Sequence, residues 1–228
     1  MSKTEETLIN DLRLAGYSYT GINDLFNQPT LPLKAVEIIL QHLPAVYAEH
    51  LGSGEHLVRS LISAEQPFDP TVLIKLFEES SYNMSIKCTI AYVLAISKTH
   101  DISGWMKEQL LQRQSSFERS GLLDGIAKKA AIKDREEFME TLRALFDKYC
   151  RFETYLKLYQ RYATTDDIPF LEEKLKQPDL TIYREYAIQA DKLFGGNQTR
   201  KAEQRFTSEV SKLIEAIKKR KRHYSFPK

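Results

Sequence analysis

Five histidines, two cysteines and 31 acidic residues are the side chains of this 228-residue sequence that could ligate a metal or move a proton. Their spacing argues against both uses. His42, His50, His56, His100 and His223 include no pair four residues apart around a glutamate, and none is linked to Cys88 or Cys150 in a ligand pattern. His42 sits where a helix would end and suits a last turn, which favours cationic side chains. The acidic clusters Glu78-Glu79, Asp134-Glu136-Glu137 and Glu172-Glu173 fall in first or last helical turns beside Lys and Arg. They read as solvated helix faces rather than as an acid–base pair. No Gly-rich phosphate loop, nucleophile elbow or kinase signature occurs. The sequence therefore recommends no active site, cofactor or metal, and the reading leans away from an enzyme.

Binding chemistry is better represented. Tyr149, Phe152, Tyr155, Tyr159 and Tyr162 interleave with Lys148, Arg151, Lys157 and Arg161, a mixture that could stack bases or grip a peptide. With Trp105, the single tryptophan, the residues Tyr149, Arg151, Tyr155, Tyr159, Arg161 and Tyr162 form the candidate binding surface. The competing and plainer reading makes Phe152, Tyr155 and Tyr159 part of the core, with hydroxyls at the rim. A second candidate is the basic run Lys218, Lys219, Arg220, Lys221 and Arg222, which could neutralise phosphates; the alternative is a solvated terminus.

Composition bounds the class. A hydrophobic content of 42% suffices for a large core, while 9 Gly, 8 Pro and the lack of period-two alternation argue for an all-α fold. Far-apart free cysteines suit a reducing compartment, and no apolar run approaches the roughly 18 residues that cross a bilayer. An acidic opening, MSKTEETLIND, does not read as an export signal. These features predict a cytoplasmic chain with no membrane partner. The net charge of +2 conceals an asymmetry, because Gln198 to Lys228 carries +7 and the remainder −5.

The elements that would position these residues are helix pairs. Asp69 as N-cap and Pro70 at the first helical position start a helix bearing Val72, Leu73, Leu76 and Phe77; Ser80 to Asn83 break it, and Ile86, Ile90, Val93 and Leu94 mark the return helix. Earlier, Leu8, Ile9 and Leu12 share a face before Gly16, and Ile22, Leu25 and Phe26 make a second short helix. A helix over Leu33 to Leu43 should stop at Pro44, with its partner starting after Gly52-Ser53-Gly54. Further pairs follow around Trp105 and Met106 with Phe117 and Leu122, around Phe138 and Leu142 with the aromatic helix, and from Asp166 or Asp167 to Gly195. Pair starts near 33, 70, 102, 134 and 167 recur at a period suited to a helical solenoid. Phe206, Val210, Leu213, Ile214 and Ile217 then define a closing amphipathic helix.

The succession LRLAGY, INDLFN, a Pro-led helix ending in ILQHLP, and HLVRSL resembles the start of bacterial HEAT-repeat-domain proteins, over roughly residues 8 to 62. That resemblance implies a right-handed α-solenoid of about five HEAT-like helix pairs in a single domain, 1–228. Its parts would be an N-terminal cap (1–31), repeats (32–196), and a C-terminal amphipathic helix with basic tail (197–228). It also implies a non-enzymatic scaffold that binds another protein on a concave face made by the second helices. The alternative is a nucleic-acid-binding protein or DNA-repair glycosylase of the HEAT-like type. An accessory protein holding a cofactor-bearing partner is a further rival, which no Cys or His arrangement recommends.

Overall fold

In the computed structural model the described residues are 2–79, 84–111, 119–128, 135–148 and 152–220. Helix makes up 79%, within the about 70% or more that hydrophobic periodicity predicts, and no strand occurs among the described residues. The chain divides into two compact units, Met1–Ile102 and Ser103–Lys228. Phe117, the break at 80–83, Asp134, Cys150 and His223 lie outside the described residues.

The first unit contains α1 (Lys3–Leu14), α2 (Ile22–Phe26), α3 (Leu33–Glu49), α4 (Leu51–Ser60), α5 (Thr71–Glu78) and α6 (Met84–Ile96). α1 starts with a reciprocal capping box between Ser2 and Glu5 and ends before Gly16, whose φ of 93° is open to glycine at little cost. α3 packs on α4 and α5 on α6, while α1, α3 and α5 neighbour one another in one layer and α2, α4 and α6 in a second. Both pairs close in the same way. Leu31 N–H donates to Ser63 O and Glu65 N–H to Leu31 O, at 2.7 and 2.9 Å; Phe68 N–H donates to Lys98 O and His100 N–H to Phe68 O, at 3.1 and 2.9 Å. Each is an isolated parallel bridge joining the residue ahead of a pair to the segment that leaves it.

Two boundaries differ from expectation. α3 runs through Pro44 to Glu49 instead of ending at Leu43. Pro44 has no N–H for the Leu40 carbonyl and costs about 3 kcal/mol in a helix interior. Continuing the helix buries Val46 and Tyr47 almost completely, worth about 1.5–3 kcal/mol for each large side chain, so burial wins. α4 likewise begins at Leu51 and includes Gly52-Ser53-Gly54, with His50 Nδ1 accepting from Ser53 N–H at 3.1 Å. Gly54 is a packing residue, since a Cβ there would lie 2.5 Å from the Tyr47 ring. The start of α5 is also shifted. Pro70 is its N-cap, and the Asp69 carboxylate accepts from Thr71 N–H (3.0 Å) and Thr71 Oγ1 (2.6 Å). Asp179 accepts from Thr181 N–H in the same fashion at the start of α12.

The second unit contains α7 (Ser103–Leu111), α8 (Ser120–Lys128), α9 (Arg135–Leu145), α10 (Phe152–Tyr162), α11 (Ile168–Lys176), α12 (Thr181–Phe194) and α13 (Gln198–Lys219). α7 packs on α8 and α9, and α9 on α10. The last helix is more than a lid: α10, α11 and α12 all pack on α13, which is the main neighbour of both α11 and α12, in place of the simple α11–α12 pair expected from the sequence. Phe146 stands at the centre, edge-on to Tyr155, Tyr159, Phe170 and Phe206 at 5.4–6.3 Å between ring centroids, an arrangement aromatic quadrupoles favour.

Candidate functional site

The aromatic helix α10 shows what the interleaving of Tyr with Lys and Arg builds. Tyr155, Tyr159 and Tyr162 recur at helical spacing on one face, and all three are buried. Tyr155 donates to the Leu142 carbonyl at 2.5 Å, Tyr159 stacks on Phe170 at 6.4 Å, and Tyr162 meets Phe138 edge-on at 5.0 Å. Their rings are spent on the interior of the second unit and offer no face to a base or peptide. Arg161 is exposed, its guanidinium 5.6 Å from the Tyr162 ring. Trp105, on α7, is half-buried; Tyr149 and Arg151 lie outside the described residues.

Beside this aromatic core is a charge network that sequence reasoning did not find. The Asp167 side chain is fully buried and accepts from Arg135 Nη2 and Arg143 Nη2, both at 2.6 Å, and from Thr164 N–H at 2.7 Å. Glu136 also accepts from both arginines, from Arg135 Nη1 at 3.2 Å and Arg143 Nη1 at 2.8 Å. Burial alone would lower the Arg143 pKa, but hydrogen bonds and charge from Glu136 and Asp167 outweigh it and hold the guanidinium above its ordinary range. The Tyr159 phenol is pushed up by burial and by the Asp167 carboxylate, with the two arginines pulling weakly the other way. Its hydroxyl is buried beside this cluster without a hydrogen bond of good geometry.

Arginines also finish α10. The last carbonyls of a helix have no partner within it. Here Arg135 Nε donates to Tyr162 O at 3.0 Å, while Arg220 donates to the carbonyls of Gln160, Arg161 and Ala163, the latter two at 3.4 and 3.3 Å. Two cations at this end also match the sign of the helix dipole. The basic run is thus divided. Lys218 lies 3.9 Å from Glu172 and 3.8 Å from Glu215, Lys219 lies 3.9 Å from Glu215, and Arg220 is a helix cap; Lys221 and Arg222 lie outside the described residues.

In the first unit the second-helix layer presents exposed rings and a guanidinium. Phe26 of α2, 42% exposed, stacks on His56 of α4 at 5.2 Å. One turn along α4 the exposed Arg59 reaches Thr89 Oγ1 of α6 at 3.4 Å, and Thr89 in turn reaches Glu55 at 3.5 Å. Tyr92, one turn beyond Thr89, is 49% exposed. Phe26, His56, Arg59 and Tyr92 thus form a row across three helices. The sequence marks Phe26 only as part of a short apolar face and His56 only as a metal-ligand candidate, and does not single out Arg59 or Tyr92; the one signal on α6 is Thr89 and Tyr92 three residues apart.

Two further histidines have side-chain partners. His42 Nε2 pairs with Asp11 Oδ2 at 2.7 Å, and His50 Nδ1 lies 2.9 Å from Ser53 Oγ, which donates to Glu5. Serine stands in the middle of that last chain, so histidine is not placed to relay a serine proton to the carboxylate as a catalytic triad requires. Among the described residues no group of three His, Cys, Asp or Glu is placed to hold a metal, and no helix is long and apolar enough to cross a membrane.

No family model matches the chain, and neither a curated protein nor a solved structure matches it.

Proposed function

We propose that this chain is a non-enzymatic interaction module, a right-handed α-solenoid of HEAT-like helix pairs that binds another protein on the face of its second helices. The observation that carries the reading is the exposed row Phe26–His56, Arg59 and Tyr92 across α2, α4 and α6. Aromatic residues and arginine are the types that dominate binding energy at protein interfaces, and in a solenoid the second helices line the concave face. The repeat character draws support from the two-layer order of the first unit and from the identical bridges that close its two pairs 33 and 31 residues apart.

The test is affinity capture with the full chain beside Phe26→Ala/Arg59→Ala/Tyr92→Ala, a variant confined to exposed side chains. A partner that the wild type retains and purified reconstitution confirms should be lost at least tenfold by the variant at unchanged melting temperature. A reconstituted partner held equally by both would overturn the assignment of this face, and turnover by the purified chain would overturn the non-enzymatic reading.

A further inference from the structure

α13 has two faces of different character. Its inner face, with Ala202, Phe206, Val210, Leu213, Ile214 and Ile217, is buried against the helices it joins. Opposite them, Lys201, Arg205, Lys212 and Lys219 fall on a single strip: Lys201 and Lys219 are five full turns apart, and the other two lie within a fraction of a turn of the line between them. All four are exposed. At 1.5 Å per residue the strip is about 27 Å long.

The acids of this helix leave the strip positive. Glu203 lies towards the inner side, 3.6 Å from Arg184, and Glu209 lies on the flank, 2.7 Å from Lys212. Glu215, at the strip's edge, stands 3.8 and 3.9 Å from Lys218 and Lys219. These pairs are in solvent, with Lys212 and Lys219 side chains 69% and 79% exposed, so each ammonium can exchange its carboxylate for a phosphate at little cost. Residues beside the strip, Gln204, Ser208 and Ser211, are exposed hydrogen-bonding groups.

We propose that this strip is a docking ridge for the phosphate backbone of duplex nucleic acid, separate from the second-helix face of the first unit. A straight row of cations with polar groups between them matches a linear polyanion; its length corresponds to about eight base pairs at 3.4 Å each. An anionic bilayer is the poorer match, because an interfacial helix needs an apolar face to bury beside its basic one, and that of α13 is already occupied in the core. Contacts of this kind position a duplex without reading its sequence.

The probe is a mixed-sequence 20-base-pair duplex, titrated with the full chain by fluorescence anisotropy across a salt series. Four phosphates neutralised give a slope of log affinity on log salt near −3.6, or about a hundredfold weakening between 50 and 200 mM salt. Lys201→Gln/Arg205→Gln/Lys212→Gln/Lys219→Gln keeps residues of good helix propensity on a solvent face; it should weaken binding at 50 mM salt at least tenfold and flatten the slope, with an unchanged melting curve. Removing residues 221–228 should weaken it by less than the quadruple change. Equal binding by the quadruple variant and the wild type overturns the proposal, as does loss of all binding with residues 221–228. Binding to anionic phospholipid vesicles with none to the duplex would also overturn it.

Discussion

A methyl group added at Gly54 would stand 2.5 Å from Cγ of Tyr47, with Cδ1 and Cδ2 at 2.6 and 2.8 Å. Tyr47 is 1% exposed, so its ring cannot swing into solvent, and α4 would have to move off α3 along their whole contact. Two effects compete in Gly54→Ala. Alanine gains about 1 kcal/mol over glycine in a helix interior. Forcing an extra carbon into a packed interface costs about 1–3 kcal/mol, and contact with an immobile ring puts this site at the upper end. The expected net result is a loss of about 1–2 kcal/mol in urea unfolding, read from the midpoint at constant m. Gly52→Ala in the same helix meets only the exposed His50 ring edge, at 3.3 Å, and should lie within about 0.5 kcal/mol of the wild type. In the cycle with Tyr47→Leu the two losses should fall short of additive, because the smaller side chain makes room. Gly54→Ala as stable as, or more stable than, the parent would refute the close approach of α4 to Tyr47 and with it the reading of Gly54 as a packing residue.

Leu94, fully buried in α6, should cost about 2–5 kcal/mol as Leu94→Ala, and an unmoved unfolding midpoint would mean its face of the helix is misassigned. Asp167→Asn removes the charge from a fully buried carboxylate held by two arginines and should cost about 3 kcal/mol in thermal or urea unfolding, whereas a change under 0.5 would mean the network is dispensable. Arg220→Ala leaves the end of α10 short of a cap and should speed amide hydrogen exchange at the α10 and α13 C-termini several-fold, with little change in α7; uniform exchange would argue against the cap. Hydrogen bonds from Thr71 and Thr181 hold the Asp69 and Asp179 carboxyls below their ordinary pKa, so the stability they add is present above about pH 4 and is lost as acid protonates them in the folded state. Asp69→Asn/Asp179→Asn should therefore narrow the stability difference between pH 6 and pH 3, and an unaltered difference would count against the depressed values.

The helical class was legible because it rests on periodicity, which each segment carries locally. Leu76, Ile90, Leu94, Leu142 and Leu145 are all buried, as their spacing predicts. Boundaries were less legible where tertiary packing outweighed a local signal, as at Pro44, where burial of Val46 and Tyr47 overrides a proline, and at Gly54, where a glycine that looks like punctuation gives room to a ring. Least legible were interactions between residues far apart in sequence. Arg135 and Asp167 are 32 positions apart, and Arg220 reaches carbonyls 57 to 60 positions earlier; no spacing rule connects them. The row Phe26, His56, Arg59 and Tyr92 is hidden for the same reason, being assembled from three helices.

Helical phase decides what the basic C-terminal segment can do, and composition does not. Lys201, Arg205, Lys212 and Lys219 share a strip that points away from the core and are all exposed, on the side that a polyanion of matching length could approach. Arg220 follows Lys219 directly, yet it is the C-cap residue, where the backbone leaves the helical conformation at φ −71° and ψ 120°. Its φ is still helical and ψ redirects only the chain beyond it, so the side chain keeps the helix phase, about 100° on from Lys219 and in line with buried Ala202, and reaches the end of α10, whose carbonyls need donors wherever water does not supply them. A count of positive charges therefore overstates the cations open to a phosphate by at least this one arginine. It also makes Arg220→Ala the informative control for the ridge, because that change removes as much charge as Lys219→Gln and should disturb the end of α10 far more than it disturbs duplex binding.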